Sequence, residues 1–172
     1  AYVDQTVTVT VTGTNDVPVA TSTTALIGGV TEAGHLDNGA PVAGMASATG
    51  TLTATDVDAG ATQTWSLQGE QSATYGTMAL DAKTGIWTYT LDNSLAATQA
   101  LKEGDSVKQT YTARVTDDFG AYVDQTVTVT VTGTNDVPVA TSTTALTGGV
   151  TEAGHLDNGT VVAGMASATG TL

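Results

Sequence analysis

The sequence contains no cysteine, so neither a disulfide nor a thiolate metal site is open to it. Basic residues are almost as scarce: four Lys and Arg stand against 17 Asp and Glu, for a net charge of −13. Lys83, Lys102, Lys108 and Arg114 do not cluster, which leaves nothing to neutralise a phosphate backbone and excludes nucleic acid as a partner. An anionic membrane surface would repel the chain for the same reason. No apolar run approaches the ~18 residues of a membrane span, so no membrane insertion is expected. A repeat copy is already under way at Ala1, and the lack of a leader there says nothing about export. Histidine is limited to His35 and His155, with no second His or Cys beside either, so a zinc site is not expected. A nucleophile elbow and a Gly-rich phosphate loop are both missing, and the chain is not expected to be an enzyme. The surplus of acid serves solubility, and it also suits a divalent cation.

What the sequence does have is a repeat. Ala1–Leu52 recurs as Ala121–Leu172, offset by 120 residues and differing only at Ile27/Thr147, Ala40/Thr160 and Pro41/Val161. That period is too long for a solenoid unit of ~20–50 residues and suits one whole domain per repeat. The stretch "GTNDVPVA" follows a long Thr/Val run at Gly13–Ala20 and again at Gly133–Ala140, and its proline cannot donate to a strand ladder. Junctions therefore fall at Asn15–Asp16 and Asn135–Asp136. Residues 17–136 are one complete repeat, 1–16 the last strand of a preceding one, and 137–172 the first strands of the following one.

Hydrophobic periodicity is that of strands. Val7, Val9 and Val11 alternate with threonines, and the same pattern returns over Gln125–Thr132. Tyr111, Ala113 and Val115 alternate with Thr110, Thr112 and Arg114, and Trp87, Tyr89 and Leu91 with Thr88 and Thr90. Trp65 and Leu67 flank Ser66, and both tryptophans read as core rather than as a carbohydrate platform. "DAG", "KTG" and "DDFG" mark turns between the runs, and only "SLAATQAL" at Ser94–Leu101 reads as helical, a short crossover turn. About seven short strands in some 120 residues predict an all-β, Greek-key sandwich of immunoglobulin or cadherin type.

Taken in order, "GTLTATDVDAG", "YGTMALDAKTGIWTYTLDNS", "LKEGD" and "YTARVTDDFGAYVDQTVTVTVTGTNDVPVA" closely resemble the VCBS repeat of giant bacterial RTX-type surface adhesins. The resemblance covers the complete repeat and both fragments. It implies a cadherin-like domain, carried on the cell surface of a Gram-negative bacterium, and a role in cell adhesion and biofilm formation. It also implies Ca2+ clamped between successive domains. The positions that match the cadherin ligands are Glu32, Asp56, Asp58, Asp117, and the linker pairs Asn15–Asp16 and Asn135–Asp136. Asp92 matches the first acid of the cadherin Asp-x-Glu, but Ser94 stands in place of the Glu. Gly13 and Val17 likewise replace linker Asp and Asn, which implies fewer ions per junction than in cadherins.

The chemistry of those residues supports the same reading. Calcium takes 6–8 hard oxygens, from carboxylates, carbonyls, amides and water. Asp56 and Asp58 lie two apart at a strand end and point the same way in extended chain; Asp117 ends a strand that a sandwich brings beside them, and Asn15 arrives from the linker. Glu32, Asp92 and Asp136 form the candidate set for the other end. Any one of these Asp alone closes a turn, as Asp37 and Asn38 before Gly39 are expected to do. Two functions follow: a stiff extender holding terminal binding domains away from the cell, or a repeat that itself binds glycan or neighbouring chains, or assembles as a surface filament. Identical repeats end to end are the expected partners. A lone strand such as 1–16 cannot bury a core, so intermolecular strand pairing into a linear assembly is the further expectation.

Overall fold

The computed structural model describes residues 1–69, 71–140 and 148–169. The chain divides into two units, 1–136 and 137–172. The expected first strands of the following repeat run over 137–172, of which 141–147 and 170–172 lie outside the described residues.

The first unit is a β-sandwich. Its strands of five or more residues are β1 (Ile27–Thr31), β2 (Ser47–Thr51), β3 (Gln63–Gln68), β4 (Gly76–Leu80), β5 (Ile86–Leu91), β6 (Ser106–Asp117) and β7 (Tyr122–Thr132). A single helical turn, α1 (Ala96–Gln99), lies between β5 and β6, inside the span that the sequence marks as helical. One sheet has the order β1-β7-β6-β3 and the other β2-β5-β4. All pairs within these sheets are antiparallel except β1 with β7, where Ile27–Thr31 runs parallel to Thr128–Thr132. Joining the early strand to the last one across the sheet is the long-range connection of an immunoglobulin-like sandwich.

The period-two valines explain which face is inside. Val127, Val129 and Val131 on β7 are buried with Tyr111, Ala113 and Val115 on β6, while the alternate threonines face outward. Trp65 and Trp87 are both core, Trp87 being only 1% exposed. Its ring fills the gap between the sheets so completely that a Cβ on Gly28 would lie 2.8 Å from it, and one on Gly50 2.7 Å. The glycines of β1 and β2 are therefore packing residues, which is why "IGGVT" and "SATGT" do not alternate like ordinary strands.

The twin of the β7 segment behaves differently. Val7, Val9 and Val11, identical in sequence to Val127, Val129 and Val131, are exposed, and residues 1–18 carry no strand pairing within the chain. In the second unit the described residues form a short hairpin, Gly154–His155 with Val161–Val162, with a bridge between Thr151 and Met165. The same hairpin and bridge occur in the first unit at Gly34–His35, Pro41–Val42 and Thr31–Met45. Two of the three differences between the copies, Ala40/Thr160 and Pro41/Val161, thus fall on a hairpin whose pairing they leave unchanged.

Candidate functional site

The two ends of the sandwich gather the acids that the sequence singles out. The leading end is formed where β6 stops at Asp117 and β3 starts opposite it at Gln63. Asp56 and Asp58 lie in the loop just before β3. The Asp58 amide donates to Asp56 Oδ1 at 3.0 Å, an Asx turn that holds the two carboxylates in one loop. The linker docks onto this loop from outside: the Asp16 amide donates to Asp58 Oδ2 at 2.8 Å, and Asn15 Nδ2 donates to Asp117 Oδ2 at 2.9 Å. Asp117 is buried, and its other oxygen accepts the amides of Phe119 and Ala121 at 2.9 and 2.8 Å, which fixes the tight loop after β6. The bond from Asn15, with those amides behind it, holds the Asp117 carboxyl below the usual carboxylate range despite partial desolvation.

Asn15, Asp16, Asp56, Asp58 and Asp117 are therefore linked at one end of the sandwich by a chain of hydrogen bonds that runs through the linker. One atom among them is left over. Asp56 Oδ2 is buried and has no hydrogen-bond partner. A buried carboxylate oxygen without a partner costs free energy that a cation would recover. The side chains that these bonds link to Asp56, those of Asp58, Asp117 and Asn15, carry hard oxygens, the type that calcium takes. Among the described residues no three carboxylates or histidines converge closely enough to form a metal site on their own. A cation held here would draw on amide and carbonyl oxygens as well as on the carboxylates, as calcium does in loop sites.

The trailing end is built differently. Here β1 and β7 finish side by side at Thr31 and Thr132. Glu32, the next residue, has no solvent contact although it lies close beneath the surface at the end of the sandwich. Its carboxylate accepts from Gln99 Nε2 at 3.0 Å and from the Thr134 amide at 3.2 Å. Burial pushes its pKa up; the Thr134 bond opposes this and the nearby Asp136 adds to it. The linker is clamped here too, because the His35 amide donates to the Asn135 carbonyl at 2.6 Å and Thr134 Oγ1 donates to the Glu32 carbonyl at 3.3 Å.

Asp92 does not join that group through a hydrogen bond. Its carboxylate turns onto Ser94, accepting from the Ser94 amide at 2.9 Å and from its hydroxyl at 2.6 Å, and these bonds lower its pKa. Ser94, which breaks the Asp-x-Glu pattern, thus occupies the acid that remains. The residue that sequence reasoning missed is the one between them. Asn93 accepts from the Ala33 amide and donates to the Ala33 carbonyl, at 2.9 and 3.2 Å, pinning the chain beside Glu32. Gln99, on α1, was missed as well. No spacing rule points to either, because Asn93 bonds the Ala33 backbone 60 residues away and Gln99 the Glu32 carboxylate 67 residues away. Asp37 and Asn38 form the expected turn, with Asn38 Oδ1 accepting from the Ala40 amide.

The model of the bacterial cadherin-like domain matches residues 15–133, more than half of the chain. No curated protein matches the chain. Linker, loop acids and sandwich all fall within the matched stretch apart from Thr134, Asn135 and Asp136, which begin the next junction. The chain belongs to the bacterial cadherin-like domains, a family of adhesion-type β repeats that are generally extracellular and typically non-enzymatic.

Proposed function

We propose that this chain is a section of a calcium-stabilised extender from a large bacterial surface adhesin of the RTX type, in which near-identical repeats run end to end and hold terminal binding domains away from the cell. The observation that carries the reading is the partnerless, buried Asp56 oxygen, in a loop onto which the linker docks through the Asn15 side-chain amide and the Asp16 backbone amide. A cation bound there would tie the two together, so the angle between successive repeats would depend on it. Near-identity of the copies supports a spacer, because length needs only repetition of one unit.

The test is a pair of thermal melts, in chelator and in millimolar calcium. A ligand that binds only the folded state adds RT ln(1 + [L]/Kd), about 2.7 kcal/mol at 100-fold saturation, and the midpoints should separate by several degrees. Superimposable melts would sink the reading. Small-angle scattering on several repeats tests the shape: the maximum dimension should grow by at least roughly 33 Å per repeat, the rise of a ten-residue strand. It should shrink in chelator.

A second reading, that the repeats also pair strand to strand between molecules, is favoured by one observation. Residues 1–12 are unpaired here, while the identical residues 121–132 lie in the sheet between β1 and β6. In an array the preceding repeat would provide those neighbours; otherwise a second molecule can. Sedimentation of this chain over a wide concentration range should show dimers, and a monomer throughout counts against the reading.

A further inference from the structure

Phe119 is the only phenylalanine in the chain, and it is 77% exposed. Its loop is not loose, because Asp117 Oδ1 accepts both the Phe119 and the Ala121 amides. The backbone that carries the ring is thus fixed at the leading end, beside the linker. The ring borders a groove of about 330 Å³ whose other wall is the linker, Gly13, Thr14 and Asn15, with Asp58 and Ala59 at its end.

The repeat shows what lies on the far side of that linker. Gly133 and Thr134 are the copies of Gly13 and Thr14. Gly133 is pressed against the loop after α1: a Cβ there would lie 2.5 Å from the Lys102 carbonyl oxygen and 2.6 Å from Leu101 Cβ. A second groove, about 340 Å³, runs between Gln99–Glu103 and Thr134–Asp136. In an array the same linker residues would border both grooves, since Thr14 and Asn15 line one and their copies Thr134 and Asn135 line the other.

We propose that these grooves are the two halves of one joint, in which the loop Ala100–Glu103 of each repeat covers Phe119 of the next. The proposal rests on the end-to-end array and adds an apolar contact beside any cation, so the joint stays closed through packing as well as through charge. Its partner is a second copy of this repeat.

The test uses a longer chain made from the same sequence. Because 1–16 and 121–136 are identical, residues 17–120 placed before Ala1 complete the preceding repeat. With fluorinated phenylalanine incorporated, the 172-residue chain gives one fluorine signal and the extended chain two. The single ring should be broadened strongly by a soluble paramagnetic reagent, and one of the two rings should be protected from it. Equal broadening of both overturns the proposal. In a second measurement, Lys102→Cys in the leading copy and Phe119→Cys in the following copy should join through a short bis-maleimide. A leading-copy Lys83→Cys should not, since the turn at Ala82 bonds back to Trp65 near the opposite end. Cysteine-free wild type makes the readout clean. If the Lys102 pair reacts no faster than the Lys83 pair, the joint is wrong. The calcium melts judge the extender reading separately: a calcium shift with an unprotected ring sinks the joint alone, and a protected ring without a calcium shift sinks the cation alone.

Discussion

The leading and trailing ends of the complete repeat carry acids in opposite electrostatic conditions. At the leading end Asp117 is held ionised by an amide side chain and two backbone amides, and Asp56 keeps one oxygen without a partner. At the trailing end Glu32 is enclosed, pushed toward its neutral form, and already satisfied by Gln99 and Thr134. On the proposed reading, a cation would gain more at the first end, where a carboxylate oxygen is unpartnered, than at the second, where the carboxylate is already hydrogen-bonded. In the proposed array the two would be halves of one junction, since Thr134 and Asn135 bond to one end of the repeat and Asn15 and Asp16, the copies of Asn135 and Asp136, to the other.

Four changes would break or sharpen that contrast. The largest effect should come from Trp87→Ala, which empties the centre of the core and should cost about 3–5 kcal/mol in chemical denaturation. Both ends should suffer equally, so the calcium-induced increment should survive. Next, Asp56→Ala combined with Asp58→Ala should erase that increment of about 2.7 kcal/mol at 100-fold saturation, whereas Asp37→Ala should preserve it in the same melts. Retention of the shift in the double variant would move the cation elsewhere.

The third change is Glu32→Gln, studied in chelator across pH. The folded-state pKa of Glu32 is raised, so its favourable contribution is complete below the unfolded value, about 4.3, and is lost as pH rises through the folded value. The wild type should therefore lose stability relative to Glu32→Gln between acid and neutral pH. Parallel stability curves would show that Asp136 and burial do not load this carboxyl. The smallest effect is local. Asn15→Ala should let the Asp117 pKa climb toward its ordinary value without reaching it, because the Phe119 and Ala121 amides remain. A carboxyl NMR titration reads this directly, and an unmoved Asp117 would mean that the linker is not docked in solution.

Much of the fold was legible because β6 and β7 are long, alternate cleanly and bury one face; Tyr111 to Val115 and Val127 to Val131 could be assigned from period alone. β1, β2 and β4 were not, and the reason is specific. Gly28 and Gly50 sit where a tryptophan ring 37 or more residues away leaves no room for a side chain, so local pattern looks like turn while tertiary packing demands strand. At the leading end the spacing of Asp56 and Asp58, and the strand end at Asp117, did predict neighbours. The trailing end was harder to read, since Asn93 pins the Ala33 backbone and Gln99 reaches the Glu32 carboxylate across long stretches of chain that no motif spans, and Asp92 pairs with the serine two residues on.

The parallel ladder between β1 and β7 has a mechanical meaning. The chain enters the sandwich before Ile27 at the leading end and leaves it after Thr132 at the trailing end, while the two strands run the same way. Tension on a tethered cell would drag β1 toward one end and β7 toward the other. The ladder from Ile27–Thr128 to Thr31–Thr132 would be loaded in shear, with its bonds sharing the force and none opening first. Single-molecule pulling from the termini should show one high rupture event per repeat, and Val30→Pro, which strips a donor from the middle of the ladder, should lower it. If such units are assembled into the proposed stalk, it would yield one sandwich at a time, each releasing its own length of chain as slack before the next gives way.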